Sequence, residues 1–289
     1  MPELTTEVER LSVVIEIGDM PVRVNTTDPA FLDILHNRYS GFLTTSDHAG
    51  DREKEPAEIE FDVDIAPPFR VPDRDVRVTQ HLGHWSLEAG DFHAEWTPAS
   101  RRGHIRQTAN PYSIDAVLRI VHTLVLARQG GFLLHSASAI RNGKAFLFAG
   151  VSGAGKTTIS RLAPPDVTLL TDEISYVRPS NVRRNDPSKR DAGYTAFGTP
   201  FTGELAKLGE NVSAPIAGLY LLAQGPENRI EPIAPGEAAR SLLANVLFFA
   251  EDEELVQSTF HSAFEFVSRV PVSRLTFVPD ARVWELIGS

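Results

Sequence analysis

The 289-residue sequence contains no cysteine, which excludes a disulfide framework, a thiolate zinc site and a thiol nucleophile. It also lacks basic excess: 28 lysines and arginines stand against 38 aspartates and glutamates, a net charge of −10. A general nucleic-acid binder would show the opposite sign on at least one face, so no nucleic-acid partner is expected. Long apolar runs are missing as well. The longest, such as "LLANVLFFA", fall far short of the roughly 18 residues a membrane span needs. The opening stretch "MPELTTEVERLSVVIEIGDM" is acidic and has no basic-then-apolar secretory pattern. These absences lead to the expectation of a soluble, cytoplasmic protein with no membrane partner. No internal repeat or low-complexity tract is present. Hydrophobic content of 42% and charged content of 23% are ordinary for a globular chain, and the length suffices for one large domain or two modest ones.

What is present centres on "GVSGAGKTT", Gly150 to Thr158, directly behind the apolar run "AFLFA". The spacing is G-x-x-x-x-G-K-[ST], with Gly150, Gly155, Lys156 and Thr157 in the fixed places. Glycines let a turn bring several backbone N–H groups against a phosphate chain. Phosphate-contacting positions are then Gly150, Ser152, Gly153, Ala154, Gly155, Lys156, Thr157 and Thr158. Lys156 would reach the β- and γ-phosphates, and the Thr157 hydroxyl would ligate Mg²⁺. "KAFLFA" reads as a strand and "KTTISRLA" as the opening of a helix, the context such a loop requires. The expected ligands are ATP and Mg²⁺.

The remaining pattern divides in two. Residues 1–110 are β-rich. Two strands flank the turn "GDMP", "AEIEFDVDI" alternates with period two, and "WSLEAGDFHAEWT" reads as a hairpin bending at Ala89-Gly90-Asp91. One helix, "PAFLDILHNRYSGF", lies between them, and "TTSDHAGDREKEPA" reads as an exposed loop. "PYSIDAVLRIVHTLVLARQGG" then predicts a helix with Pro111 near its start, Ser113 as N-cap and Gly130-Gly131 as its stop. The boundary is placed just before it, giving a nucleotide-binding domain over 111–289. In "FLLHSASAIRNGKAFLFAG", Asn142-Gly143 predicts a hairpin whose second arm enters the phosphate loop. Downstream, "VTLLTDEISYV" and "APIAGLYLLAQ" read as strands. "APGEAARSLLANVLFF" and "EDEELVQSTFHSAFEFVSRV" read as helices, followed by the strand "VSRLTFV" and the short helix "DARVWELI".

Candidate chemistry gathers after the loop. Asp172 and Glu173 end the apolar run "LLTDE", and a carboxylate at a strand tip can hold Mg²⁺ directly or through water. Two adjacent acids permit a division of roles, one accepting a proton while the other serves the metal. Hairpin geometry would bring His135 to the same end of the sheet, for phosphate contact or proton handling. "GTPFTGE", Gly198 to Glu204, reads as a tight turn. Arg183, Arg184, Lys189 and Arg190 form a basic cluster that would suit either a solvated loop or an acidic partner.

"LLHSASAIRNGKAFLFAGVSGAGKTTISRL" followed by "LLTDEISYV" resembles the HPr kinase/phosphorylase family and related bacterial kinases, whose nucleotide fold is shared with phosphoenolpyruvate carboxykinase. The resemblance covers residues 132–178 and rests on His135, Gly150 to Thr157, and Asp172 with Glu173. It implies an α/β protein: a β-rich N-terminal region packed on an HPr-kinase-like P-loop domain with a mixed sheet flanked by helices. It further implies an ATP-dependent kinase phosphorylating a hydroxyl, with Asp172, His135 and Lys156 catalytic, and Thr157, Glu173 and Glu204 at the metal. Glu173 stands where the HPr enzymes usually carry aspartate, their glycine-rich C-terminal signature is absent, and the first 110 residues match none of their domains. The acceptor is therefore left open among a serine of a peptide, as in related kinases of peptide-maturation clusters, a protein, and a small molecule. A homo-oligomer is left open too. The competing class is a non-catalytic ATP-binding regulatory module of the same fold.

Overall fold

The computed structural model describes residues 9–44, 59–67, 75–180, 193–205, 207–249 and 251–288. The chain is a strand-rich mixed α/β protein that divides into two compact units, Met1–Leu118 and Arg119–Ser289. The cluster of Arg183, Arg184, Lys189 and Arg190, and all but the first residue of the loop segment 44–57, lie outside the described residues.

In the first unit the strands are β1 (Leu11–Ile17), β2 (Met20–Thr26), β3 (Leu43–Thr44), β4 (Ile59–Ile65), β5 (Arg77–His81), β6 (His84–Ala89), β7 (Phe92–Thr97) and β8 (Arg102–Gln107), with helix α1 (Pro29–Arg38) between β2 and β3. They form one sheet in the order β3-β1-β2-β4-β8-β7-β6-β5. Pairing is antiparallel except for the β2–β4 and β4–β8 neighbours. The β1–β2 turn is made by Gly18 and Asp19, both with positive φ (63° and 57°), the requirement of the two-residue turn that matches strand twist. The hairpin over β6 and β7 pairs Ala89 with Phe92, so Gly90-Asp91 alone makes the bend. Alternate residues Phe61 and Val63, Trp85 and Leu87, and Ala94 and Trp96 are buried. Phe31 and Leu35 of α1 are buried as well.

Helix α2 (Pro111–Gln129) contains the division between the units, which sequence reading places just before it. The reason is visible in its contacts. Near its start, the Ser113 hydroxyl donates to Asp91 Oδ2 (2.7 Å) and Asp115 accepts from Arg38 and Tyr39, all within the first unit. From Arg119 on, its partners lie in the second: Arg119 sits 4.8 Å from the Phe201 ring centroid, and His122 meets Tyr176 edge-on at 5.4 Å. Ser113 is not the N-cap. Asn110 is, its Oδ1 accepting from the amides of Tyr112 (2.8 Å) and Ser113 (3.0 Å), with Pro111 in the first helical turn where its missing N–H costs nothing. The helix stops at Gly130, φ +77°, and the Gly131 amide donates to Leu126 O (3.0 Å), as a glycine C-cap does.

The second unit carries β9 (Phe132–Arg141), β10 (Lys144–Ala149), α3 (Lys156–Arg161), β11 (Thr168–Thr171), β12 (Ile174–Pro179), β13 (Tyr194–Phe197), β14 (Ser213–Gln224), β15 (Arg229–Pro232), α4 (Pro235–Leu243), β16 (Val246–Leu247), α5 (Glu253–Arg269), β17 (Val272–Phe277) and a 3₁₀ turn at Ala281–Leu286. β9 and β10 form the expected hairpin across Asn142 and Gly143, with φ of 51° and 72°. The sheet runs β10-β9-β12-β13-β14-β17-β15, and β10 also pairs in parallel with β14. That pairing closes β10, β9, β12, β13 and β14 into a ring. It gives β10 a parallel neighbour on one side and an antiparallel one on the other. Alternate residues of β10 face two cores. Ala145, Leu147 and Ala149 join Leu242 of α4 and Ala263 and Phe266 of α5. Phe146 and Phe148 join Ile159 of α3 and Val283 and Trp284 of the 3₁₀ turn, and the indole N–H donates to Ile159 O (3.1 Å).

Two expected elements are broken. "VTLLTDEISYV" is two strands, because the Thr171 hydroxyl accepts from the amides of Glu173 and Ile174 (both 3.2 Å) and turns the chain at the acidic pair. The helix expected over "APGEAARSLLANVLFF" ends at Leu243. The Asn245 side chain donates to Ser241 O (2.8 Å), its carbonyl accepts from His135 N, and Val246-Leu247 pairs with β9. "DARVWELI" forms the 3₁₀ turn. No helix among the described residues is long and apolar enough to cross a membrane.

His122 is fully buried, and its Nε2 has no partner among the described residues. Burial, then the charge of Arg178, pushes its pKa down to about 3. The folded chain therefore holds it neutral, and the unfolded chain binds a proton near pH 6.5. The stability tied to this group is complete above that pH and drains away as the pH falls toward 3. His122→Phe is expected to flatten the decline of urea midpoint between pH 6.5 and 4. An acid limb identical to that of wild type would show that other groups control it.

Candidate functional site

The turn between β10 and α3 is built from Gly150 to Gly155. Gly155 has φ +112°, and a Cβ there would lie 2.6 Å from the Phe277 ring. A Cβ at Gly150 would come 2.8 Å from that of Ala154. Gly155 thus requires glycine on backbone and packing grounds, and Gly150 on packing grounds. Val151, Ser152 and Gly153 are exposed at the tip, Ala154 is buried, and Thr157 and Thr158 are half-buried in the first turn of α3. Gln224, at the end of β14, donates its side-chain amide to Gly153 O (2.8 Å). The neighbouring strand thereby fixes the tip, a contact with no sequence signal. Lys156 Nζ donates to Gly150 O (3.0 Å), so the motif lysine lies across the mouth of its own loop.

Four ionisable side chains from separate elements converge here. His135 Nε2 on β9 stands 3.6 Å from Glu173 Oε1. Burial lowers the Lys156 pKa, and the charges of Glu173 and Glu204 oppose that. Burial also lowers the His135 pKa, reinforced by Lys156 and opposed by Glu173. At neutral pH the imidazole is uncharged, a state able to accept or relay a proton. His135, Lys156, Glu173 and Glu204 thus share one electrostatic neighbourhood.

Asp172 differs from its neighbour. Sequence reading places both acids at a strand tip, but Asp172 is 1% exposed. Its Oδ1 accepts from the Gly203 amide and its Oδ2 from the Leu205 amide, both at 2.9 Å. The segment that "GTPFTGE" opens is fastened to the same strand break. Thr199 N donates to Leu170 O (3.1 Å) and Glu210 N to Leu169 O (3.0 Å). The Thr199 hydroxyl donates to Ile174 O (2.8 Å), and the Thr171 hydroxyl to Phe201 O (3.2 Å). This segment forms one wall of the site.

No group of three or more His, Cys, Asp or Glu able to hold a metal occurs among the described residues. The donors present, the Thr157 hydroxyl and the carboxylates of Glu173 and Glu204, are all oxygens. That set suits Mg²⁺, which uses one or two protein carboxylates and takes its other ligands from phosphates and water.

The fold and site define a mixed α/β protein with a strand–glycine turn–helix unit and an acidic strand break beside it. Residues 105–289, well over half of the chain and every candidate site residue, match the family model described as SynChlorMet cassette protein ScmC, and the chain belongs to that family. The comparison with curated proteins returns no match.

Proposed function

We propose that this protein is an ATP-dependent kinase with an HPr-kinase-like nucleotide fold, transferring the γ-phosphoryl group to a hydroxyl. The observation that carries the reading is the G-x-x-x-x-G-K-T turn whose lysine faces Glu173, Glu204 and His135. In this reading the loop amides from Gly150 to Thr158 bind the phosphates, and Lys156 holds the β- and γ-oxygens. Thr157, Glu173 and Glu204 hold Mg²⁺, which offsets charge on the transferring group. The acceptor oxygen forms a bond to the γ-phosphorus as the bond to the bridging oxygen breaks. ADP leaves, and the hydroxyl proton passes to Glu173 or to His135, the acceptors of the site that are open to a substrate. The hydroxyl belongs to a serine of a peptide or protein, or to a small molecule.

A regulatory ATP-binding module remains the second reading, and one observation favours it: Asp172, the expected proton acceptor, is buried with both oxygens bonded to amides. Incubation of the full chain with Mg²⁺, γ-labelled ATP and a panel of serine peptides and small alcohols separates the two. Label in an acceptor is the expected result. Micromolar ATP binding without transfer to any hydroxyl would overturn the kinase and leave the module.

A further inference from the structure

We infer that Asp172 is a positioning residue, a clasp that holds the 203–205 turn so that Glu204 is presented to Lys156. The inference rests on the kinase reading for its consequence and on geometry for its substance. A carboxylate offers about four lone-pair sites, and here each oxygen takes one amide of the same turn, two residues apart. The residue between those amides is Glu204, whose charge reaches Lys156. Amide bonds to a buried carboxylate are of the stronger, charge-assisted kind, so the clasp fixes the turn firmly.

Gly203 shows the same closeness from the other side. A Cβ there would lie 2.5 Å from Glu173 Oε2 and 3.1 Å from Asp172 Oδ2. The turn lies directly on both carboxylates, and an added Cβ would displace Glu173 Oε2 and crowd Asp172 Oδ2 and Glu173 Cβ. Asp172 is thus enclosed beneath the turn, whereas the Glu173 side chain keeps about a third of its surface open. Of the two acids, Glu173 is the one a substrate hydroxyl or metal ion can touch.

Asp172→Asn keeps one acceptor oxygen but turns an NH₂ toward the second amide, so one bond becomes a clash of donors. The experiment compares Asp172→Asn, Gly203→Ala and Glu204→Gln in the full chain. Amide hydrogen exchange at 203–205 is measured without nucleotide, and KM for Mg·ATP and kcat are measured with it. The clasp predicts at least tenfold faster exchange in the first two variants. All three should share a several-fold rise in KM, with kcat changed by less than tenfold. Combining Asp172→Asn with Glu204→Gln should add nothing to either alone. Gly203→Ala crowds the turn against both carboxylates while leaving the Asp172 side chain unaltered, so it tests the clasp even where Asp172→Asn does not fold. Unchanged exchange in either folded variant overturns the clasp. So does a kcat loss of 10²–10⁴-fold in Asp172→Asn with KM intact, the mark of a proton acceptor. Should wild type transfer no phosphate, the kinase reading fails, and the exchange data still decide the clasp.

Discussion

Lys156→Ala is expected to raise the dissociation constant of Mg·ATP at least tenfold, about 1.4 kcal/mol, and to abolish phosphoryl transfer. Lys156 is the cation that the motif spacing fixes, and its ammonium lies over the loop mouth at 3.0 Å from Gly150 O. Its removal does more than delete an attraction. Glu173 and Glu204 both bear on Lys156, and without it Mg²⁺ alone is left to offset two carboxylates and an incoming polyphosphate. Arginine is no substitute, since its planar fork differs in shape and reach from the compact ammonium. Calorimetric titration of wild type and variant checks the result. Lys156 caps no helix and is only half-buried, so the melting temperature should change little. Equal ATP affinity in the two proteins would remove the site assignment altogether.

The parts of this site that were legible in the sequence are those set by local backbone chemistry. Asn142-Gly143 announces its hairpin because both turn positions need positive φ, which few residues supply cheaply. The loop announces itself because Gly150, Gly155 and Lys156 have steric and electrostatic duties at fixed spacing. The cap of α2 misleads: Ser113 looks suitable in isolation, but Asn110 takes the role, its Oδ1 accepting from the amides of Tyr112 and Ser113 ahead of a first turn opened by Pro111. What could not be read depends on partners far along the chain. The parallel pairing of β10 with β14 joins strands some seventy residues apart, and nothing in either strand specifies the other. The strand break at Asp172 is of the same kind. "LLTDEISYV" has the apolar content of a continuous strand, and the local turn made by the Thr171 hydroxyl is fastened by bonds of Thr171 and Asp172 to a segment thirty residues downstream. Adjacency therefore made the two acids look alike, whereas burial separates them. Gln224 and Gly203 carried no signal for the same reason: each matters through what it touches.

Gly209→Ala is expected to destabilise the second unit by about 3 kcal/mol or more, beyond the usual overpacking cost. A Cβ at this position would lie 1.7 Å from Leu170 O, 2.6 Å from its carbonyl carbon and 2.9 Å from Thr199 O. All three are backbone atoms, so no rotamer change relieves the overlap. The segment would have to lift from β11, giving up the bonds from Thr199 N to Leu170 O and from Glu210 N to Leu169 O. For a unit of this size the loss corresponds to a fall in melting temperature of roughly 6–12 °C. Gly236→Ala is the control. Nothing lies within 4 Å of its added Cβ, and it sits in α4, where alanine is favoured over glycine by up to about 1 kcal/mol. It should melt at or slightly above the wild-type temperature. Because Gly209 closes the segment that carries Gly203 and Glu204, its substitution should also weaken Mg·ATP binding at temperatures where the chain is still folded. A Gly209→Ala protein with wild-type melting and wild-type nucleotide affinity would show that this segment does not pack on Leu170, and would remove the wall on which the site depends.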